Sequence, residues 1–181
     1  NIYDDKGDIP KALEFYQNSM EIRVKIGDLS GVASTLNNLA YLYTKLEEYD
    51  MAIESFTESL EMSIELEDDR YVSLALNNLG YVYQKQGDLV KSEKYHQESL
   101  AIRIKIDDLK GIAMSNNMLG MVAKDNLEYN KALDFFKVSL KIYSDNNSLK
   151  GVGTTLSNIG ETYILKGNYL EADKCIQQSL D

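Results

Sequence analysis

The sequence repeats itself every 40 residues, and this period is the feature that most limits how the chain can fold. Displacing the 181-residue chain by 40 positions aligns residues 31–33 with 71–73, 111–113 and 151–153, and the matches continue along each block. A period of about 20 to 50 residues is typical of arrays in which each unit buries its apolar face against its neighbours. Bulky and small residues recur in fixed columns: Leu39, Leu79, Leu119 and Ile159; Ala40, Gly80, Gly120 and Gly160; Tyr43, Tyr83, Ala123 and Tyr163.

Each period contains two amphipathic helices. The first helix places apolar residues at positions i, i+3, i+4 and i+7, beginning for example at Leu36. The second helix repeats this spacing from Ala52 onward. A short acceptor side chain precedes the first helix of each period, where it can bond free backbone N–H groups. These predicted caps are Asp28, Asp68, Asp108 and Ser148.

The two helices of a period are joined by a tight turn, in which Gly can adopt the left-handed conformation that ends a helix. The predicted turns are Gly7-Asp8, Glu47-Glu48, Gly87-Asp88, Leu127-Glu128 and Gly167-Asn168. Such a helix pair cannot bury both of its faces alone, so successive pairs must stack. We therefore predict an all-α fold, a right-handed α-solenoid of antiparallel helix pairs without strands.

The predicted array has about nine helices and forms one domain. The helices are expected at 8–26, 30–45, 48–66, 70–85, 88–106, 110–124, 128–144, 150–165 and 168–180. The single array over 1–181 consists of a half repeat at 1–28 and repeats at 29–68, 69–108, 109–148 and 149–181.

These columns resemble the tetratricopeptide repeat (TPR). The best match is residues 76–83, LNNLGYVY, followed by Gly87 and Ser92, and the resemblance covers essentially the whole chain. The 40-residue length is similar to the branch of this family that includes Leu-Gly-Asn-repeat adaptors, kinesin light chains and bacterial peptide-pheromone regulators. The third period matches least well, because Asn116 stands at a large-residue position and Ala123 at the Tyr position.

The resemblance implies that the first helices line a concave groove that binds a peptide or protein segment. On a helical wheel, Asn38 lies opposite the packing stripe that contains Leu36. An Asn amide both donates and accepts, so one amide per period can pair with a peptide backbone, while Tyr and Met add apolar contact. The alternative is that these Asn residues are merely solvated or pack between adjacent helices. The predicted peptide-binding residues are Asn37, Asn38, Tyr41, Lys45, Asn77, Asn78, Tyr81, Lys85, Asn117, Met118, Met121 and Asn158.

Composition argues against several other functions. The chain carries 19 Lys and Arg against 29 Asp and Glu, a net charge of −10, which disfavours nucleic acid and membrane surfaces as partners. Its one His and one Cys, His96 and Cys175, lie in different periods, so we expect neither a catalytic pair nor a Cys/His zinc site. We therefore expect a protein that is not an enzyme and has no cofactor and no metal.

The same composition suggests a location. No run approaches the roughly 20 apolar residues of a spanning helix, and a single Cys favours a reducing compartment, so we predict a cytoplasmic protein. Because the chain begins at Asn1 without an initiator Met, we expect it to be a piece of a longer chain.

Three functional hypotheses follow. The first is a non-catalytic interaction scaffold whose groove binds a neutral to basic segment with apolar anchors. The alternative is a regulatory or sensor region of a larger signalling protein whose effector domain lies outside this chain. The third is end-to-end self-association through terminal apolar residues that lack polar caps. These terminal residues are Ile9, Leu13, Tyr16, Tyr169, Ala172 and Ile176.

Overall fold

A computed structural model describes residues 9–180 of the chain and the side chains of residues 9–178. In this part the backbone forms α-helices joined by short turns, and it contains no β-strand. The helices are α1 (Ile9–Ile26), α2 (Leu29–Lys45), α3 (Tyr49–Glu65), α4 (Asp69–Gln86), α5 (Leu89–Lys105), α6 (Leu109–Asp125), α7 (Tyr129–Asp145), α8 (Leu149–Leu165) and α9 (Tyr169–Leu180).

These helices confirm the predicted all-α fold of helix pairs. Their ends agree with the predicted ends to within one residue, because the start and stop signals are local and recur in every period. The predicted start at residue 8 and the turn Gly7-Asp8 lie outside the described residues.

The predicted helix caps are confirmed at the three Asp positions. Asp28 accepts from the backbone N–H three residues later at 2.9 Å, and Asp108 does the same at 3.0 Å. Asp68 accepts from two backbone N–H groups at the start of α4. The prediction is wrong for Ser148, which occupies the N-cap position of α8 without a side-chain cap bond. Ser is as favourable an N-cap residue as Asp, so the missing bond reflects the position of the Ser148 hydroxyl rather than its residue type.

The chain divides into two compact units, Asn1–Asp88 (unit 1) and Leu89–Asp181 (unit 2). In unit 1, helices α1 to α4 pack consecutively, and α2 also contacts α4. In unit 2, helices α5 to α9 pack consecutively, and α6 also contacts α8. Within each unit, therefore, the first helices of successive repeats are neighbours. The single array over 1–181 stays a prediction.

The core of unit 1 contains Leu39 of a predicted column together with buried residues of α1, α2 and α3. Ala12 and Tyr16 of α1 pack against Leu39 and Leu42 of α2. Phe56 of α3 is also buried. Removing a side chain of this size from water contributes about 1.5–3 kcal/mol, so these buried residues supply much of the stability of the helix pairs.

In unit 2 the same columns meet around Phe136. This residue of α7 is fully buried and packs with Ala123 of α6 and Ile159 of α8. Gly120 allows α6 to approach closely, because a Cβ at this position would lie 2.5 Å from the Phe136 ring. At this crossing the small-residue column is therefore required by the distance between the two helices.

A second pairing of large and small residues joins each second helix of unit 2 to the following first helix. Arg103 of α5 donates to the carbonyl of Gly111 on α6 at 2.9 Å, and a Cβ on Gly111 would meet the Arg103 side chain at 2.7 Å. One period later, Tyr143 lies so close to Gly151 that no Cβ would fit. In both cases a glycine accommodates the large residue eight positions before it.

His96 takes the column position that Phe56 and Phe136 take in other repeats. Its side chain is fully buried, and neither ring nitrogen has a hydrogen-bond partner among the described residues. Burial, together with the positive charge of Arg103, lowers the pKa of His96 from 6.5 to about 3. The imidazole is therefore neutral at pH 7 and serves as a packing residue.

We expect His96→Phe to weaken the acid sensitivity of the fold. Between pH 6.5 and 3 the unfolded chain protonates this imidazole and the folded chain does not, so the wild type loses stability as the pH falls. The loss is up to about 1.4 kcal/mol per pH unit, or about 2 kcal/mol at pH 5. Urea denaturation at pH 7.5 and pH 5 measures it. The wild type and the variant contain the same carboxylates, which therefore affect both proteins equally. An equal change of the free energy of unfolding with pH in the two proteins would contradict the assignment of this effect to His96.

Each described turn has one residue in the left-handed region of backbone conformation. Gly87 and Gly167 adopt φ values of 89° and 75°, whereas Glu47 and Leu127 both adopt 62° at the equivalent positions of the α2–α3 and α6–α7 turns. This conformation costs a non-glycine residue roughly 1–2 kcal/mol. Leu127 is also 71% exposed, so burial of its side chain offsets little of this strain.

Replacing Leu127 by Gly should therefore stabilise the protein by about 1 kcal/mol, since it releases strain and removes little buried surface. The matched control is Gly87→Ala, where the new Cβ would meet no atom within 4 Å. Its expected cost of about 1 kcal/mol would arise from backbone strain alone. Both changes are measurable by urea denaturation, and a destabilised Leu127→Gly protein would show that this turn is not strained.

Candidate functional site

The first helices of unit 1 carry a repeated pair of Tyr and Lys. On α2, the Lys45 Nζ lies 4.9 Å from the centroid of the exposed Tyr41 ring. On α4, the Lys85 Nζ lies 5.4 Å from the centroid of the Tyr81 ring. Both distances are typical of cation–π contacts, and the four-residue spacing places each pair on one helix face. We call these two groups the Tyr–Lys pairs.

The predicted Asn residues form two columns with different environments. The inner column is 5–6% exposed and consists of Asn37, Asn77 and Asn117. The outer column is exposed or half-buried and consists of Asn38, Asn78 and Asn158. Members of the two columns are neighbours in the sequence, but successive residues of a helix point about 100° apart. The structure therefore brings the outer column to the surface and the inner column into the packing between helices.

In unit 1 the inner column belongs to a hydrogen-bond network. The Asn78 Nδ2 donates to the Asn37 Oδ1 at 3.0 Å, and the Asn37 Nδ2 donates to the Ser59 Oγ at 2.8 Å. The Ser59 hydroxyl in turn donates to the Ala33 carbonyl at 2.9 Å. These bonds connect α4, α2 and α3. The Asn37 amide therefore packs between adjacent helices, which is the alternative interpretation given for these Asn residues.

Unit 2 contains the same bond from the outer to the inner column. The Asn158 Nδ2 donates to the Asn117 Oδ1 at 3.0 Å. These two residues are 41 positions apart in the sequence, as are Asn78 and Asn37. Asn77 differs, because its Oδ1 is buried and has no hydrogen-bond partner among the described residues. In both units, then, an outer Asn holds its first helix against the first helix of the neighbouring repeat.

The first-helix surface of unit 2 has a different chemistry from that of unit 1. Met118 and Met121 of α6 are half-buried at the positions where the earlier repeats carry Asn and Tyr. The Lys124 Nζ lies 2.6 Å from the Glu161 Oε2 on α8, so its charge is neutralised by the next first helix. The surface of unit 2 therefore offers adaptable apolar contact.

Buried hydroxyl groups that lie between helices were not among the predicted site residues. Ser59 completes the network of unit 1, and in unit 2 the buried Ser139 lies 3.4 Å, oxygen to oxygen, from Thr155. The recurrence of Ser rather than Ala at the column of Ser59 and Ser139 is the signal that could have revealed them, because a buried hydroxyl needs a hydrogen-bond partner.

The negative charge of the protein is concentrated in one part of the chain. Residues 1–88 contain 17 Asp and Glu against seven Lys and Arg, whereas residues 89–181 contain 12 of each. Helix α3 has no Lys or Arg, and its acidic residues are all exposed. They are Asp50, Glu54, Glu58, Glu61 and Glu65. The Tyr–Lys pairs lie on α2 and α4, outside this acidic helix.

The terminal apolar residues differ in exposure. Tyr169 and Ile176 are exposed, Ile9 and Leu13 are half-buried, and Ala172 is buried. Self-association through them stays a prediction. Within residues 9–180, no group of three or more His, Cys, Asp or Glu could hold a metal ion. A membrane-spanning helix, long and apolar enough to cross a bilayer, is likewise not found in that range.

Helix pairs that repeat every 40 residues and pack only on their neighbours define an all-α solenoid. A family model of the tetratricopeptide repeat matches residues 1–65 and 71–145, and a second TPR model matches residues 154–181. The chain therefore belongs to the tetratricopeptide repeat family. No curated protein sequence matches it significantly.

Several solved structures share this fold. BtubC (BKLC) from P. vanneervenii has a TM-score of 0.84 at 21% identity, over 98% of this chain and 74% of that one. A putative kinesin light chain of Podosopora anserina with nearly identical TPR-like repeats has a TM-score of 0.75 at 16% identity, over 98% and 88%. A Rap protein complexed with Competence and Sporulation Factor has a TM-score of 0.88 at 14% identity, over 99% and 50%.

Two neighbouring residues of α2 test the division into inner and outer columns. Asn37→Ala should cost roughly 1–2 kcal/mol, because it removes the hydrogen bonds to the Ser59 Oγ and from the Asn78 Nδ2, although Ser59 keeps its bond to the Ala33 carbonyl. Asn38→Ala is the matched control and should stay within about 0.5 kcal/mol, since this side chain is exposed. Thermal and urea unfolding measure both variants. Similar losses for the two would contradict the division.

Proposed function

We propose that this chain is a non-catalytic, cytoplasmic scaffold that binds a peptide or protein segment along its first helices. The observation that carries the proposal is the recurrence, on two first helices that contact each other, of a Tyr–Lys pair beside an outer Asn. The Tyr41 ring is 47% exposed and the Tyr81 ring is half-buried, so both present aromatic surface that a bound segment would cover.

The outer Asn residues suit the recognition of a peptide backbone. Asn78 uses one N–H to bond Asn37, and this bond fixes the orientation of its amide. Its remaining N–H and its Oδ1 can pair with the C=O and N–H of a bound segment, whatever side chains that segment carries. An amide that is already fixed loses little conformational entropy on binding, which favours affinity.

The anchors for side chains differ between the units. In unit 1, Tyr41 and Tyr81 provide flat aromatic surface, and in unit 2, Met118 and Met121 provide adaptable apolar surface. We propose a partner segment with apolar anchors and a neutral to basic net charge, because the protein as a whole carries −10. Because Lys45 and Lys85 lie beside the rings, the charge that this local surface prefers is measured separately, with peptides of different net charge.

A second candidate is a regulatory region of a larger signalling protein. The observation in its favour is the likeness to the Rap protein complexed with Competence and Sporulation Factor, of which this chain covers half. In this version, binding of a segment to the first helices would control an effector outside the chain. Both candidates require the same binding surface.

The binding test uses fluorescence anisotropy with 15-residue peptides that carry Leu, Met or Tyr anchors and net charges of −3, 0 or +3. Substituting both outer Asn residues of unit 1, Asn38→Ala with Asn78→Ala, should weaken the best binder about tenfold, which corresponds to about 1.4 kcal/mol. Tyr41→Ala, which removes an exposed ring, should have a similar effect.

The control variant is Asn18→Ala, an exposed amide on α1 outside the proposed surface, and it should bind like the wild type. Thermal unfolding of each variant separates weaker binding from loss of fold. Unchanged affinity of the double variant for every peptide that binds would remove the outer amides from the binding surface.

A further inference from the structure

The α6–α7 turn of unit 2 combines two unfavourable features in one residue. Leu127 has a left-handed backbone, and its apolar side chain is 71% exposed. The equivalent positions 87 and 167 are Gly, which adopts this conformation without strain, and position 47 is Glu, which has the same φ of 62° but a polar side chain. Leu127 is the one apolar residue among the non-glycine residues with positive φ at the described turns, and its exposed side chain is available to a partner.

Leu127 forms one wall of a surface hollow of about 430 Å³. The hollow lies where the α6–α7 turn and the first residues of α7 meet the end of α8. Its lining residues are Leu127, Glu128, Tyr129, Asn130, Lys131 and Lys166. We call it the turn hollow. It combines the side chains of Leu127 and Tyr129 with the cations of Lys131 and Lys166 and the carboxylate of Glu128.

The two lysines of the turn hollow have different hydrogen-bond partners. The Lys131 Nζ lies 2.9 Å from the Glu93 Oε1 and 2.9 Å from the Glu128 Oε2, and hydrogen bonds to Glu128 and Glu93 raise the pKa of Lys131. The Lys166 Nζ donates to the neutral Asn130 Oδ1 at 2.5 Å and makes no ion pair within the described residues. The hollow thus holds one positioned cation whose charge is not neutralised.

We infer that the turn hollow is a docking site for a protein segment that presents an apolar side chain next to a carboxylate. The apolar side chain packs on Leu127 and Tyr129, and the carboxylate accepts a hydrogen bond from the Lys166 Nζ. Charge complementarity selects this occupant, because a basic group would face an unneutralised cation and a purely apolar one would leave Lys166 without a counter-ion. This surface is formed by the α6–α7 turn, the first residues of α7 and Lys166 after α8, so it is distinct from the first-helix surface.

The test uses N-acetyl-leucine, which carries the apolar side chain and the carboxylate, and N-acetyl-leucinamide, which lacks the charge. Titration of the ¹⁵N-labelled 181-residue chain should shift the backbone amides of residues 127–131 and 166, with a dissociation constant for the acid on the order of millimolar. The amide probe should bind at least about fivefold more weakly.

Three variants decide the outcome. Lys166→Gln should abolish the preference for the acid, whereas Lys141→Gln, an exposed lysine of α7 that does not line the hollow, should retain it. Leu127→Gly should lose the shifts while the protein unfolds at a higher temperature, so lost binding cannot be confused with lost fold. No shifts at these residues, equal binding of the two probes, or an acid preference that survives Lys166→Gln would each overturn the inference. The variant with Asn38→Ala and Asn78→Ala should bind the probe normally, which separates this site from the proposed peptide surface.

Discussion

The structure depends on the close approach of neighbouring helices, which at several crossings requires a small residue where a large one packs. Gly120 beneath the Phe136 ring and Gly111 beside Arg103 show the constraint directly, since neither position has room for a Cβ. Because the interior is close-packed, each such pairing fixes how two helices lie against each other. In a solenoid every repeat contacts only its neighbours, so the same local pairing must recur in each period. The 40-residue rhythm of the sequence is the result of this requirement.

Within this packing, adjacent Asn residues divide structural and surface roles. Asn37 is buried and bonds Ser59, where low polarity of the surroundings strengthens the bond and makes its loss costly. Asn38 is exposed and makes no such contribution to the interior. Asn78 has both roles, because it bonds Asn37 and is still half-exposed. A surface of first helices that is held rigid from behind is well suited to bind a partner without first being ordered.

Two residues depart from the rules that the other repeats follow. His96 buries an imidazole without hydrogen-bond partners among the described residues at an aromatic position, and Leu127 exposes an apolar side chain at a turn position that is Glu47, Gly87 or Gly167 in other repeats. A repeat array tolerates such departures because the strain stays within one repeat and its neighbours. The neutral ring of His96 still occupies the space that a Phe ring occupies in other repeats. Leu127 contributes no comparable packing, which is why its position beside the cation of Lys166 calls for a functional explanation.

The sequence alone determined the helix ends, the columns of large and small residues and the three Asp caps, because each of these depends on residues within one or two turns of a helix. A helical wheel already placed Asn38 opposite the packing stripe, but the sequence could not determine whether Asn37 lines the groove or bonds between helices. That choice was decided by the packing of α2 on α3 and α4, which brings Ser59 and Asn78 to Asn37 from 22 and 41 residues away. For the same reason, only the tertiary structure showed the missing cap at Ser148, the strain at Leu127 and the cation of Lys166 beside it. These features depend on backbone angles and on distances between separate turns, which a one-dimensional period does not specify.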